Sequence, residues 1–83
     1  MVYQFRLTNG NFKSNRSFYE YQTIGDIVNY LETNYPKTTS NRIRLFRGPT
    51  FFTDESKKLK DCGFSTNKII KLTFTEVYDG GKN

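Results

Sequence analysis

The sequence predicts a two-layer α+β domain in which a mixed sheet packs on one helix. Segments beginning at Val2, Arg42 and Lys68 alternate apolar and polar residues, which is the period of half-buried strands. One segment beginning at Ile24 instead has helical spacing. The chain has 83 residues, enough for one core. Because a single helix must cover an apolar surface, a sheet with one apolar face is expected beside it.

The first two strands are predicted to form a hairpin. The segment from Val2 to Thr8 alternates, and Asn9-Gly10 follows it. Both turn residues tolerate positive φ, so a type I′ turn is expected. The return strand is expected over 12–21, where the polar middle allows a bulge or a break near Asn15.

The helix is predicted to start with a capping box formed by Thr23 and Asp26. Its apolar face follows at helical offsets and comprises Ile24, Ile27, Val28, Leu31 and Tyr35. Pro36 disfavours helical geometry in the residue before it. The helix is therefore expected to end at Tyr35.

Three further strands are predicted at 42–46, 51–53 and 68–74, with Gly48-Pro49 and a short helical turn near Leu59 between them. The sequence leaves open which of Phe51 and Phe52 points inward. The first and last strands are the most apolar, so we expect them at the centre of the sheet. The domain is predicted to span 1–77, and 78–83 to form a flexible tail.

Composition argues against an enzyme. The chain has no His and one Cys, which excludes His-based catalysis, an internal disulfide and the usual zinc or iron–sulfur ligand sets. We expect no metal and no cofactor, and we interpret Cys62 as a small buried residue. No apolar run approaches the length of a membrane span and no secretory signal opens the chain. A cytoplasmic or nuclear protein without a membrane partner is expected.

Several local sequences, together with the order of elements, resemble the ubiquitin-like β-grasp family. The hairpin glycine Gly10, the segment Leu45-Phe46-Arg47-Gly48, and Leu59-Lys60-Asp61 followed by Phe64 and Ile70 resemble ubiquitin. The segments Thr23-Ile24-Gly25-Asp26, Asn41-Arg42-Ile43 and 50–54 are similar to splicing-associated members. The resemblance implies a β-grasp fold, and we expect a monomer.

The pair Gly80-Gly81, followed by Lys82-Asn83, resembles the end of a ubiquitin-like precursor. The resemblance implies a protein modifier that a protease processes after Gly81 and that activating and conjugating enzymes attach to target amines. In that interpretation Gly81 carries the reacting carboxylate, and Gly80 offers clearance in narrow enzyme channels because it has no Cβ. A flexible end without a function is the alternative interpretation of the two glycines.

A basic sheet face supports a second function, that of a non-covalent adaptor. The net charge of +5 favours acidic partners. The resemblance places ubiquitin's contact positions at Thr8, Arg44, Lys71 and Thr73, and the alternation independently turns these residues outward with Arg6 and Arg42. We expect the four cations Arg6, Arg42, Arg44 and Lys71 to lie within about one Debye length of one another. Together with Thr73, they would bind an acidic protein segment. A merely solvated face is the alternative. Nucleic acid ranks low as a partner because the aromatic residues are expected to point inward.

Overall fold

The computed structural model describes residues 1–37 and 41–78. Its elements are β1 (Val2–Asn9), β2 (Phe12–Tyr19), α1 (Ile24–Asn34), β3 (Asn41–Arg47), β4 (Thr50–Phe52), a 3₁₀ turn (Leu59–Asp61) and β5 (Ile70–Tyr78). The sheet order is β2-β1-β5-β3-β4. β1 and β5 are parallel and the other neighbours are antiparallel. The α+β prediction of a mixed sheet packed on one helix is confirmed, with the first and last strands inside the sheet.

The core lies between α1 and one face of the sheet. Aromatic rings fill much of this space, and Phe5 and Phe64 meet edge to face with centroids 5.2 Å apart. The helix contributes the buried residues Ile24, Ile27, Val28 and Leu31. The three longer inner strands contribute Tyr3, Phe5, Leu7, Ile43, Leu45, Ile70, Leu72 and Phe74. The side chains that the alternation turned inward are therefore the ones that are buried.

The hairpin between β1 and β2 differs from its prediction in two respects. Asn9 pairs with Phe12, so the two loop residues are Gly10 and Asn11, one position later than expected. Gly10 has φ of 56° and no non-glycine residue in the described ranges has positive φ. This is the dihedral pattern of a type II′ turn, which needs glycine only at its first central position. The expected type I′ turn at Asn9-Gly10 is wrong.

β2 is continuous from Phe12 to Tyr19. The bulge or break considered near Asn15 does not occur, because each residue of β2 has a partner on β1. Polar side chains bridge the two strands: Arg6 Nε donates to Asn15 Oδ1 at 3.3 Å, and Ser17 Oγ donates to Gln4 Oε1 at 3.0 Å. Asn15 and Ser17 thus find partners within the hairpin, whereas Ser14 hydrogen-bonds to, and Arg16 stacks on, Tyr30 of α1.

The helix start follows the predicted capping box. Thr23 Oγ1 accepts a hydrogen bond from the Asp26 amide at 3.3 Å, and Asp26 Oδ2 accepts one from the Thr23 amide at 2.9 Å. Together these bonds satisfy donors that a helix end leaves without partners. Tyr35 has extended dihedrals and ends the helix, as expected before Pro36. No helix in the described residues is long and apolar enough to cross a membrane.

The last strand extends beyond its predicted end at Phe74. β5 pairs with β3 as far as the register Asn41↔Tyr78. Asn41 Nδ2 also donates to Glu76 Oε1 at 2.9 Å. Tyr78, which the sequence placed at the start of a tail, is therefore a strand residue. The reason is that β3 begins at Asn41 and offers backbone partners to residues 75–78, of which Thr75, Val77 and Tyr78 are also of types that favour strands.

Candidate functional site

The face of the sheet opposite α1 is exposed, and we call it the outer sheet face. Its positions alternate with the buried ones, so the cross-strand register defines them. They comprise Val2, Gln4, Arg6, Thr8, Lys13, Asn15, Ser17, Tyr19, Arg42, Arg44, Phe46, Phe51, Lys71, Thr73, Thr75 and Val77. No acidic residue stands at any of these positions. The outer sheet face is therefore a surface of one charge sign.

Arg6 and Lys71 form the closest pair of cations on this face. They are direct neighbours in the parallel register of β1 and β5. Neither makes an ion pair with another described residue. In the same register Thr8 lies beside Thr73. The structure thus brings Arg6, Lys71 and Thr73 together at the centre of the sheet.

Arg44 lies farther away than the sequence suggested. It pairs with Thr75, four residues along β5 from Lys71, which corresponds to about 13 Å at roughly 3.3 Å per residue. This separation exceeds the physiological Debye length of about 8 Å. Arg44 is therefore a second centre of positive charge, and the expected close group of four cations does not form.

Arg42 serves the fold. Its Nε lies 3.2 Å from Glu32 Oε2 and its Nη2 lies 3.0 Å from Glu55 Oε2. Two carboxylates thus neutralise the guanidinium and hold it at the start of β3. Strand alternation predicts Arg42 as a partner-binding cation because it turns the side chain outward. Alternation carries no information about Glu32 of α1 and Glu55 of the loop after β4, which lie beside Arg42 only in the folded chain.

An aromatic pair on the outer sheet face was not recognised in the sequence. The rings of Phe46 and Phe51 lie 5.2 Å apart, and Phe51 is 52% exposed. Phe46 also pairs with Thr73, so its position along the strands lies between those of Arg44 and Lys71, and Phe51 lies beside it on the edge strand β4. The alternation could have predicted Phe46, because its neighbour Leu45 points inward. Phe52 packs against the core, which settles the question left open for residues 51 and 52.

The exposed Phe51 ring and the half-buried Phe46 ring, which lie near cations, bear on whether the partner is a protein or a nucleic acid. The low rank of nucleic acid depended on aromatic residues pointing inward, and the positions of Phe46 and Phe51 remove that reason. The same pair equally suits an apolar side chain of a protein segment.

Cys62 lies apart from this face. It is half-buried, and its Sγ–H donates to the Lys58 carbonyl oxygen at 3.4 Å. Burial raises the pKa of the Cys62 thiol, which disfavours the reactive thiolate. In the described residues no group of three or more Cys, Asp or Glu side chains could hold a metal ion.

Gly80 and Gly81 lie outside the described residues. β5 ends at Tyr78, and Asp79 is the residue of the sequence between that strand and Gly80. Of the predicted tail 78–83, Tyr78 is paired with Asn41 of β3, so strand pairing continues to within two residues of Gly80.

Comparison with solved structures identifies the fold. A structure described as molecular mimicry of SUMO promoting DNA repair superposes with a TM-score of 0.71 at 13% identity, over 89% of this chain and 90% of that one. The ubiquitin-like domain from tubulin-binding cofactor B gives 0.61 at 28% identity, over 99% and 94%. The UBL domain of yeast Ddi1 gives 0.64 at 13% identity, over 90% and 88%. No family model and no curated protein matches the sequence.

Proposed function

We propose that this chain, whose fold is the ubiquitin-like β-grasp, is a non-enzymatic interaction domain that binds an acidic segment of a protein partner. The observation that carries the proposal is the outer sheet face, which combines the Arg6–Lys71 pair, Arg44 and the Phe46–Phe51 rings without an acidic residue. In this proposal the domain acts as a monomer in the cytoplasm or nucleus and needs no cofactor.

Charge and apolar contact have separate roles in such binding. The cations attract an acidic segment and orient it, which raises the association rate. The exposed ring of Phe51 and the half-buried ring of Phe46 supply the apolar area that holds the bound segment. The similarity to a domain of tubulin-binding cofactor B, at 28% identity, supports a role as an interaction module.

The test is a titration of the ¹⁵N-labelled domain with a 12-residue peptide rich in Asp and Glu that contains one Phe. We expect amide shifts centred on Arg6, Lys71 and Phe46. Arg44→Glu should weaken binding about tenfold, while the free energy of unfolding changes by less than about 0.5 kcal/mol, as is usual for an exposed substitution.

Lys57→Glu is the matched control, because Lys57 is an exposed cation away from the outer sheet face. It should leave peptide affinity nearly unchanged at moderate salt. Equal weakening by Lys57→Glu and Arg44→Glu would reduce the effect to net charge and contradict the proposal. Preference for an oligouridylate of equal charge over the peptide would assign the face to nucleic acid instead.

A second candidate function is that of a ubiquitin-like modifier, processed after Gly81 and conjugated to target amines. The sequence observation that favours it is Gly80-Gly81, which Asp79 separates from the last strand of a β-grasp fold. A processing protease and activating and conjugating enzymes would be its partners. Here the chain is the substrate of the chemistry, with Gly81 supplying the carboxylate.

Intact mass after incubation with ATP and an extract of the source cells tests this candidate. A modifier should lose Lys82-Asn83 and then form heavier species that resist denaturant and thiols. The Gly81→Ala variant and an ATP-free reaction should form no such species. An unchanged mass in an extract that conjugates ubiquitin would rule out the modifier function.

A further inference from the structure

We infer that the partner segment carries a phosphorylated serine or threonine, and that a cavity beside Lys71, where the outer sheet face borders the loop before β5, binds its phosphate. The inference rests on the proposed function and specifies its ligand. The cavity has a volume of about 370 Å³ and lies between the connection that contains Gly63 and the start of β5. Arg47, Lys68 and Lys71 contribute three cations to its wall.

Arg47 is held in place by an aromatic ring. Its guanidinium carbon lies 5.1 Å from the centroid of Phe64, within the range of a cation–π contact. Phe64 is itself buried and packs edge to face against Phe5. Arg47 forms no ion pair with any described carboxylate. The guanidinium is therefore positioned in advance, and its hydrogen-bond donors remain available to a ligand.

Lys68 and Lys71 complete the positive wall from the start of β5. Both are exposed, and neither forms an ion pair within the described ranges. The remaining lining includes the Ser65 side chain and Ile69, which is 50% exposed. The lining contains no acidic side chain. An anion entering this cavity meets attractive charge on several sides.

Comparison with a second cavity shows why the phosphate site is assigned to the cavity lined by Lys68 and Lys71. It has a volume of about 260 Å³ and shares Arg47, but Asp54 also lines it. Hydrogen bonds from Ser56 and the nearby charge of Lys57 lower the pKa of Asp54, so its carboxylate stays ionised near neutral pH. That charge would repel an anion. The acid-free cavity is therefore the better anion site.

A phosphate ester matches the wall better than a carboxylate does. It carries a charge of about −1.5 to −2 at neutral pH and three acceptor oxygens, which can engage several cations together. A carboxylate carries one charge and two oxygens. The wall of Arg47, Lys68 and Lys71 therefore favours the phosphorylated side chain.

The position of the Phe46–Phe51 pair predicts how far the phosphorylated residue of the ligand lies from an apolar residue of the same peptide. Phe46 pairs with Thr73, two residues along β5 from Lys71, so the backbone of Phe46 lies about 8 Å from that of Lys71 when one strand spacing is included. An extended peptide covers this distance in two to three residues at roughly 3.3 Å each. The expected ligand has an apolar residue two or three positions from its phosphorylated residue.

The experiment compares the affinities of four 12-residue acidic peptides. Three contain Phe, and three positions later Ser, phosphoserine or Glu; the fourth contains phosphoserine eight positions from the Phe. Fluorescence anisotropy at fixed ionic strength gives each Kd. The first phosphopeptide should bind about tenfold more tightly than the Ser peptide, with the Glu peptide between them and the displaced phosphoserine giving little gain.

Lys68→Gln should remove most of the phosphate preference while changing the affinity for the Ser peptide by less than about threefold. Lys57→Gln is the matched control and should retain the preference. Equal affinities for the Ser and phosphoserine peptides, or equal gain from the displaced phosphoserine, would overturn this inference and leave the proposed function standing. Failure of all four peptides to bind would instead overturn the proposed function itself.

Discussion

Arg42 and Arg44 lie two positions apart on β3 and have the same strand parity, yet their surroundings differ. Arg42 contacts the carboxylates of Glu32 and Glu55. Arg44 forms no ion pair with a described residue and pairs across the sheet with Thr75. A charge that neighbouring carboxylates neutralise contributes to stability, whereas a charge without such partners remains available to a ligand. The identity of a residue therefore does not assign its function.

Cys62 yields a prediction at the residue scale. Burial raises the pKa of its thiol, so the folded protein should react with iodoacetamide more slowly at pH 8 than the protein in guanidinium, because the thiolate is the nucleophile. The thiol's contribution to stability is complete below the pKa of the unfolded state and is lost as the pH rises through the higher folded pKa. Mass spectrometry over time measures the reaction. Equal rates in the native and denatured protein would contradict this prediction.

At the edge of β3, a helix side chain accepts a hydrogen bond from a backbone amide that has no neighbouring strand. β4 pairs only with Leu45, Phe46 and Arg47, so the first half of β3 has no strand on that side. Glu32 of α1 supplies the missing acceptor, because its Oε2 accepts from the Ile43 amide at 3.1 Å as well as from Arg42. A backbone donor that would otherwise lack a partner is thereby satisfied.

This contact predicts that Glu32→Ala and Glu55→Ala lower the free energy of unfolding by different amounts. Glu32→Ala removes the acceptor of the Ile43 amide, which should cost about 1–3 kcal/mol of unfolding free energy. Glu55→Ala removes one exposed ion pair of Arg42 and should cost less than about 1 kcal/mol. Urea denaturation of both variants measures the difference. A Glu55→Ala loss as large as that of Glu32→Ala would show that the ion pairs, and not the amide, determine stability here.

The whole molecule divides its tasks between the two faces of one sheet. The inner face carries the core against α1, and the outer sheet face carries the cations and the Phe46–Phe51 rings. Because successive strand residues point to opposite faces, folding and binding use different residues of the same strands. Substitutions on the outer face can therefore change binding with little effect on the fold.

Neighbouring residues of β5 test this division. Leu72 is 1% exposed and Thr73 lies on the outer sheet face. Leu72→Ala should cost about 2–5 kcal/mol through lost burial and the cavity it leaves, a large part of the stability of a small domain. Thr73→Ala should change stability by less than about 1 kcal/mol. Thermal unfolding of both variants checks this, and similar losses would contradict the division of faces.

Much of the fold could be predicted from local patterns. Alternation identified the inward residues of β1, β3 and β5, and the capping box located the start of α1 from Thr23 and Asp26. The predictions failed where pairing between strands decided the outcome. The turn moved to Gly10-Asn11 because the register of a whole hairpin decides its loop, and β5 reached Tyr78 because β3 supplied the partners.

The sequence by itself determined the α+β class, the inner and outer parity of the strands and the excess of positive charge, because each follows from the order and chemistry of neighbouring residues. Only the tertiary structure decided how those residues combine. It neutralised Arg42 with Glu32 and Glu55, separated Arg44 from Lys71, and placed Arg47 over Phe64. These arrangements depend on contacts between elements distant in the chain, and strand parity carries no information about which distant side chains meet.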